Sequence, residues 1–162
     1  MACDPIMDPP GLPVVQGTFV QMADAPPIAT TGGDPTGTWY IEKSTTVLPK
    51  IAMGQVDVSK SSNVGSGFFA FGADKSFTSH TKFHVTLEIG VLGTQEQDTE
   101  TSVKGTFTTT GDRLDVTPTC NSGGQQVKPP QFSVNGDKLL MVLFAKTGQG
   151  DITLFLEAKR AP

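Results

Sequence analysis

From Gly37 onward the chain alternates apolar and polar residues in short runs divided by glycine-containing turns. The clearest run is Phe83-His84-Val85-Thr86-Leu87-Glu88-Ile89-Gly90-Val91, in which odd positions are apolar and even ones polar or Gly. That period of two predicts a strand with one wet face. Leu114 and Val116, and Ile152, Leu154, Leu156 and Ala158, alternate in the same way. Lys138-Leu139-Leu140-Met141-Val142-Leu143-Phe144 is apolar on both faces, which predicts a covered strand. Thr110-Gly111-Asp112-Arg113 and Asn135-Gly136-Asp137-Lys138 read as hairpin turns, as do Phe71-Gly72-Ala73-Asp74-Lys75 and Thr147-Gly148-Gln149-Gly150-Asp151. The predicted strands are 38–48, 51–58, 66–72, 76–91, 99–109, 113–119, 126–134, 138–146 and 151–160. Short turns between consecutive strands make a meander, and a meander of this size closes most economically on itself. The expectation is an all-β chain forming a single antiparallel up-and-down β-barrel of eight or nine strands over 37–162, with a two-sheet β-sandwich as the runner-up.

Residues 1–36 have a different texture. Pro5, Pro9, Pro10, Pro13, Pro26, Pro27 and Pro35 fall here, and Thr30-Thr31-Gly32-Gly33-Asp34-Pro35 closes the stretch. Proline fixes φ and removes backbone donors, so no regular helix or central strand is expected. The segment reads as a flexible, extended and mostly solvated leader, with Val14–Val20 as an island able to dock as an edge strand.

Composition narrows the function. The 162 residues make one domain, and 18 Gly with only 17% charged residues disfavour a helical bundle. A net charge of −4 offers no basic footprint for nucleic acid. No apolar run is long enough to span a bilayer. The cysteines, Cys3 and Cys120, lie too far apart in sequence for a CxxC metal or redox pair. Three readings of Cys3 stand: a long-range disulfide to Cys120 in an oxidising compartment, a lipid anchor, or a free thiol. The anchor reading rests on Met1-Ala2-Cys3-Asp4-Pro5, which resembles the start of a mature bacterial lipoprotein. It would give the chain its one route to a membrane.

Candidate chemistry is sparse. There is no Gly-x-Ser-x-Gly elbow and no phosphate-cradling Gly-Lys-Ser/Thr loop. His80 and His84, four apart, would be about 13 Å from each other on a strand. They read as solvated residues of the wet face of 76–91, not as metal ligands. Glu96-Gln97-Asp98-Thr99-Glu100 reads as a solvated acidic loop without calcium-loop spacing. No metal, cofactor or enzymatic activity is expected. Trp39, the only tryptophan, opens the first barrel strand, and Arg160 ends the last. If both face inward, the guanidinium lies over the indole where the two strands meet and closes one barrel end, a contact of about 0.5–2 kcal/mol.

Gly37-Thr38-Trp39, Arg160 and the run Gly105-Thr106-Phe107…Gly111-Asp112-Arg113-Leu114 resemble the small bacterial lipocalin-like, or calycin, envelope lipoproteins. The resemblance covers roughly 36–160. It implies a non-enzymatic antiparallel barrel of the bacterial cell envelope, or a secreted one, that binds a small hydrophobic ligand. Thr36-Gly37-Thr38-Trp39-Tyr40 also resembles the opening of the avidins, but a lone tryptophan and Ile41-Glu42-Lys43 disfavour a biotin site. Phe68, Phe69, Phe71 and Phe77 cluster round one hairpin and are the candidate ligand-binding residues at a cavity mouth, or else ordinary core. The alternative function is a filled barrel that contacts or inhibits another envelope or secreted protein through its loops or leader.

Overall fold

The structure, a computed structural model, describes residues 1–48, 56–123, 126–147 and 150–162. Its strands are β1 (Val15–Val20), β2 (Gly37–Val47), β3 (Ser62–Phe71), β4 (Ser76–Ile89), β5 (Gly93–Thr110), β6 (Arg113–Ser122), β7 (Gln131–Asn135), β8 (Lys138–Thr147) and β9 (Gly150–Arg160). Each strand pairs with the next, and β2 also pairs with β9, so one nine-stranded sheet closes in a ring. Every pairing is antiparallel except β1 with β2. The helical segments among the described residues are single 3₁₀ turns, Met22–Asp24 and Gly90–Leu92.

Turn chemistry sets two of the hairpins as the sequence predicts. Thr110 pairs with Arg113 and Asn135 with Lys138, leaving two-residue loops whose first residue is a glycine at positive φ, Gly111 at 61° and Gly136 at 63°. An L side chain resists that conformation. A Cβ at Gly136 would meet nothing within 4 Å, so only backbone strain is at issue there. Gly136→Ala should therefore destabilise by about 1–2 kcal/mol in urea unfolding, with no change of core packing in its spectra.

The interior is filled at the Trp39 end. Trp39, Ile41, Phe71, Phe107, Leu114 and Phe132 are all at most 2% exposed and belong to one cluster. Phe107 of β5, Leu114 of β6 and Leu156 and Ala158 of β9 all belong to it. The doubly apolar β8 is covered on both sides. Leu139 and Met141 enter the main cluster, while Val142 and Phe144 pack outside with Val47 and Phe155, against Val20 and Ala25 of the leader.

Three sequence expectations need correction. The leader is largely exposed, as expected, but it is fastened to the ring along its length. Val15 and Phe19 are buried, and β1 is no edge strand. The pairing of β2 with β3 runs from Gly37/Phe71 to Tyr40/Phe68, and β1 then enters between them, against Thr45–Val47 on one side and Asn63–Gly65 on the other. A boundary at 36/37 thus cuts through the sheet. The acidic segment 96–100 is strand, not loop. β5 begins at Gly93 and pairs with β4 from Ile89 down to Ser76, a continuation masked in the sequence because both its faces are polar. Predicted strand 126–134 shortens to β7, since Pro129 and Pro130 have no N–H to give a ladder. The predicted strand 51–58 and the turn at 147–151 fall largely outside the described residues.

Candidate functional site

The filled core stops halfway along the ring. Above Phe69, Phe77, Leu114, Met141 and Leu156 a cavity of about 1380 Å³ opens. Its apolar wall comes from Phe83, Val85, Leu87 and Ile89 of β4, Leu143 of β8, and Ile152 and Leu154 of β9. All but Leu143, which lies in the run apolar on both faces, are period-two residues that the sequence places inward. The facing wall on β5 is polar, with Gln95, Gln97, Thr99 and Thr101 on the same side of the strand as Val103. Phe19, Leu48, Val56 and Ile89 form a separate buried cluster at the far end, so β1 contributes to the cavity rim.

A second, smaller set of polar groups lies deep in the wall. Ser44 and Thr46 of β2 and Asn63 of β3 are 1%, 5% and 5% exposed and all line the cavity. The inward direction of Ser44 and Thr46 is the work of a β-bulge. The register of β2 on β9 shifts between Ile41 and Lys43, so the inward set changes from Trp39 and Ile41 to Ser44 and Thr46. On β5 the charged Glu96, Asp98 and Glu100 point the other way, to the outer face, where they bond His84 and His80.

The phenylalanine candidates divide. Phe69 and Phe77 line the cavity as its floor, not its mouth. Phe71 lies deeper, with its ring centroid 5.1 Å from both Phe77 and Phe107, as ordinary core. Phe68 is on the opposite face from Phe69 and is not a lining residue. It is nonetheless only 6% exposed, because its register partners Tyr40 and His80 are each bound by the leader. The hairpin that carries these rings sits at the closed end, which is why they cannot rim an opening.

Trp39 and Arg160 meet as the sequence predicts. They are register partners on β2 and β9, and the guanidinium carbon lies 4.2 Å from the indole ring centre. Trp39 Nε1–H donates to the Pro35 carbonyl at 2.7 Å, and Arg160 Nη1 donates to the Thr36 carbonyl at 3.0 Å. The leader's last residues thus cap that end of the ring.

Cys3 is in a disulfide with Cys120, the Cα atoms 4.9 Å apart. Its sulfur is consumed in that bond, so the anchor and free-thiol readings do not apply to this state. The backbone supports the link: Cys3 N–H donates to Ser122 Oγ at 2.7 Å and Asn121 N–H to the Met1 carbonyl at 2.9 Å. From there the leader crosses the outer face as a strap. Asp8 reaches His80 on β4 at 2.6 Å, and Pro10 accepts from the Tyr40 hydroxyl at 3.1 Å. Further on, Thr30 donates to Asp112 at 2.5 Å and Gly32 N–H to the Phe132 carbonyl at 2.8 Å.

His80 is therefore not a solvated residue of the wet face. It is 6% exposed, clamped between Asp8 and Glu100, the latter at 2.9 Å. Burial alone would lower its pKa, but the hydrogen bonds and charges of Glu100 and Asp8 hold it above the ordinary 6.5. His84 is raised as well, by its hydrogen bond to Asp98 and then by Glu96. A raised folded-state value means the contacts stabilise fully below about 6.5 and lose that contribution as pH climbs through the raised values. The carboxylates Asp34, Asp57, Asp74 and Asp112 are all lowered, so their contribution is complete above about 3.8 and is lost only in stronger acid. Melting temperature should accordingly fall between pH 6 and pH 9, and His80→Gln with His84→Gln should flatten that fall. A fall that persists in the double variant would contradict the clamp.

No group of three or more metal-ligating side chains is found among the described residues. Comparison with known proteins finds no matching family model, no matching curated protein and no matching solved structure.

Proposed function

We propose that this chain is a non-enzymatic, lipocalin-like binding protein that holds a small hydrophobic ligand inside an antiparallel up-and-down β-barrel. The observation that carries the reading is the cavity of about 1380 Å³ walled by Phe83, Val85, Leu87, Leu143, Ile152 and Leu154. It exceeds the roughly 300–1,000 Å³ of common small-molecule sites, so there is room for an extended chain. Ring closure by β2 and β9, and the indole–guanidinium cap at one end, support the lipocalin-like resemblance. The disulfide supports an oxidising location, secreted or in the cell envelope, and this reading does not call on a lipid at Cys3.

Binding should follow chain length. Each methylene moved from water into the cavity contributes about 0.8 kcal/mol, or roughly a four-fold gain in affinity. The neutral dye N-phenyl-1-naphthylamine should bind saturably with enhanced fluorescence, and alkyl compounds of increasing length should displace it at successively lower concentrations. Native mass spectrometry of the purified protein should show a bound small molecule. No saturable signal and no added mass from several expression hosts would refute the carrier reading.

A specific observation favours a second reading, a protein that docks on a partner through its loops. Val91 and Leu92, at the tip of the β4–β5 hairpin, are 103% and 66% exposed. Under the carrier reading, Val91→Ser with Leu92→Ser leaves dye binding unchanged. Loss of a copurifying protein with dye binding intact would favour the docking role.

A further inference from the structure

We propose that the ligand is an amphiphile with an uncharged head that donates a hydrogen bond, an alcohol or a primary or secondary amide, and that Thr46 and Asn63 receive this head. The inference rests on the cavity being a ligand site, as argued above, and names the class of molecule it selects.

Thr46 Oγ1 and Asn63 Oδ1 are buried side-chain atoms with no hydrogen-bond partner. Folded proteins satisfy most such groups, because burying one without a partner is costly. Both residues line the cavity, and the head is received by rotation of the Thr46 hydroxyl and the Asn63 amide, whose oxygens are otherwise covered. Their register partners offer no polar side chain. Thr46 is flanked in register by Phe19 and Leu154, and Asn63 by Gly17 and Val85.

Gly17 shapes the recess. It stands between Ser44 and Asn63, and a Cβ there would lie 3.2 Å from Ser44 Cβ and 3.2 Å from Asn63 Nδ2. Any larger residue at 17 would press on Ser44 and on the Asn63 amide. The glycine thus leaves room for these polar side chains beside β1.

The donor requirement follows from the atoms. Asn63 Oδ1 only accepts, while a threonine hydroxyl donates or accepts. A hydroxyl, or an amide through its N–H and its carbonyl oxygen, can donate to Asn63 and accept from Thr46. An ionised carboxylate cannot donate, and it meets no cation at this position. Of the two lysines that reach the cavity, Lys128 lies over the Phe144 ring on the outer face and Lys146 is exposed.

The test displaces N-phenyl-1-naphthylamine from the wild-type protein with decanol and with decanoate at pH 8, using decane as the chain-only control. Decanol should displace at about ten-fold lower concentration than decanoate, the worth of one buried hydrogen bond. In Thr46→Val with Asn63→Leu the dye should still bind, and the preference for decanol over decanoate should shrink to about two-fold or less. The single Thr46→Val variant gives an independent check. Replacing an unpartnered hydroxyl by a methyl should leave the ligand-free melting temperature unchanged or higher, whereas a clear drop would mean the hydroxyl is already bonded. Dye binding with equal displacement by decanol, decanoate and decane would show that water satisfies the pair, and would overturn the head-group assignment alone. Failure of the dye to bind at all would instead overturn the cavity reading.

Discussion

Trp39→Ala should destabilise the protein by about 3–5 kcal/mol, the largest effect expected from any single side chain. The indole is fully buried in the cluster that fills the closed half of the ring, so truncation leaves a cavity that rigid strands cannot collapse into. Two further contacts go with it. Nε1–H holds the Pro35 carbonyl, and the ring carries the Arg160 guanidinium. Trp39→Phe separates these contributions, because it keeps an aromatic face but loses the donor. In a double-mutant cycle of Trp39→Leu with Arg160→Met the coupling should be about 0.5–1 kcal/mol, as befits an exposed cation over a ring. Chemical denaturation supplies all four corners. A Trp39→Ala cost below about 1 kcal/mol would mean that the closed end does not depend on this residue.

Breaking the Cys3–Cys120 disulfide is the second large perturbation. The two cysteines are 117 positions apart, and closing a loop of that size in the unfolded chain accounts for up to about 4–5 kcal/mol on the chain-entropy model. For a protein of this length that corresponds to a fall of roughly 10–18 °C in melting temperature. Cys3→Ser with Cys120→Ser should show the loss, and a reductant should reproduce it in the parent. Loss of the link also frees the strap's first residues, so Asp8 should protect His80 less. The raised His80 pKa should then move back toward 6.5, as read by its imidazole NMR signals. A melting temperature unchanged by reduction would indicate that Asp8, Pro10 and β1 hold the leader without the disulfide.

The sequence makes the ring legible where chemistry and periodicity agree. Phe83 to Ile89 declares its inward face by strict alternation, and Trp39 and Arg160 declare the joint between first and last ring strands. Leu139 to Phe144 requires cover on both sides and receives it, although the outer cover, Val20 and Ala25, comes from the segment read as solvated. That segment misleads for a physical reason. Its prolines forbid a regular ladder but not point attachments through Asp8, Pro10, Thr30 and Gly32. Only Val15–Val20, free of proline, becomes strand.

The deep polar group was hidden by the bulge. Strand parity counted from Trp39 and Ile41 would send Ser44 and Thr46 outward with Glu42, and the register shift reverses this. Asn63 was hidden differently. Gly65 and Gly67 follow it on the same face, so no apolar alternation marks that stretch as inward. The phenylalanine cluster was visible as a group, but which end of the ring it occupies depends on ring closure, which no local pattern encodes.

The most direct measurement is a crystal structure of the protein grown with a brominated dodecyl probe, located by its anomalous signal. A bromine peak inside the ring, bounded by Phe83, Leu143 and Leu154 above the Phe69–Phe77 floor, is the predicted result. An interior packed throughout with side chains, with bromine found only on the outer surface, would contradict it.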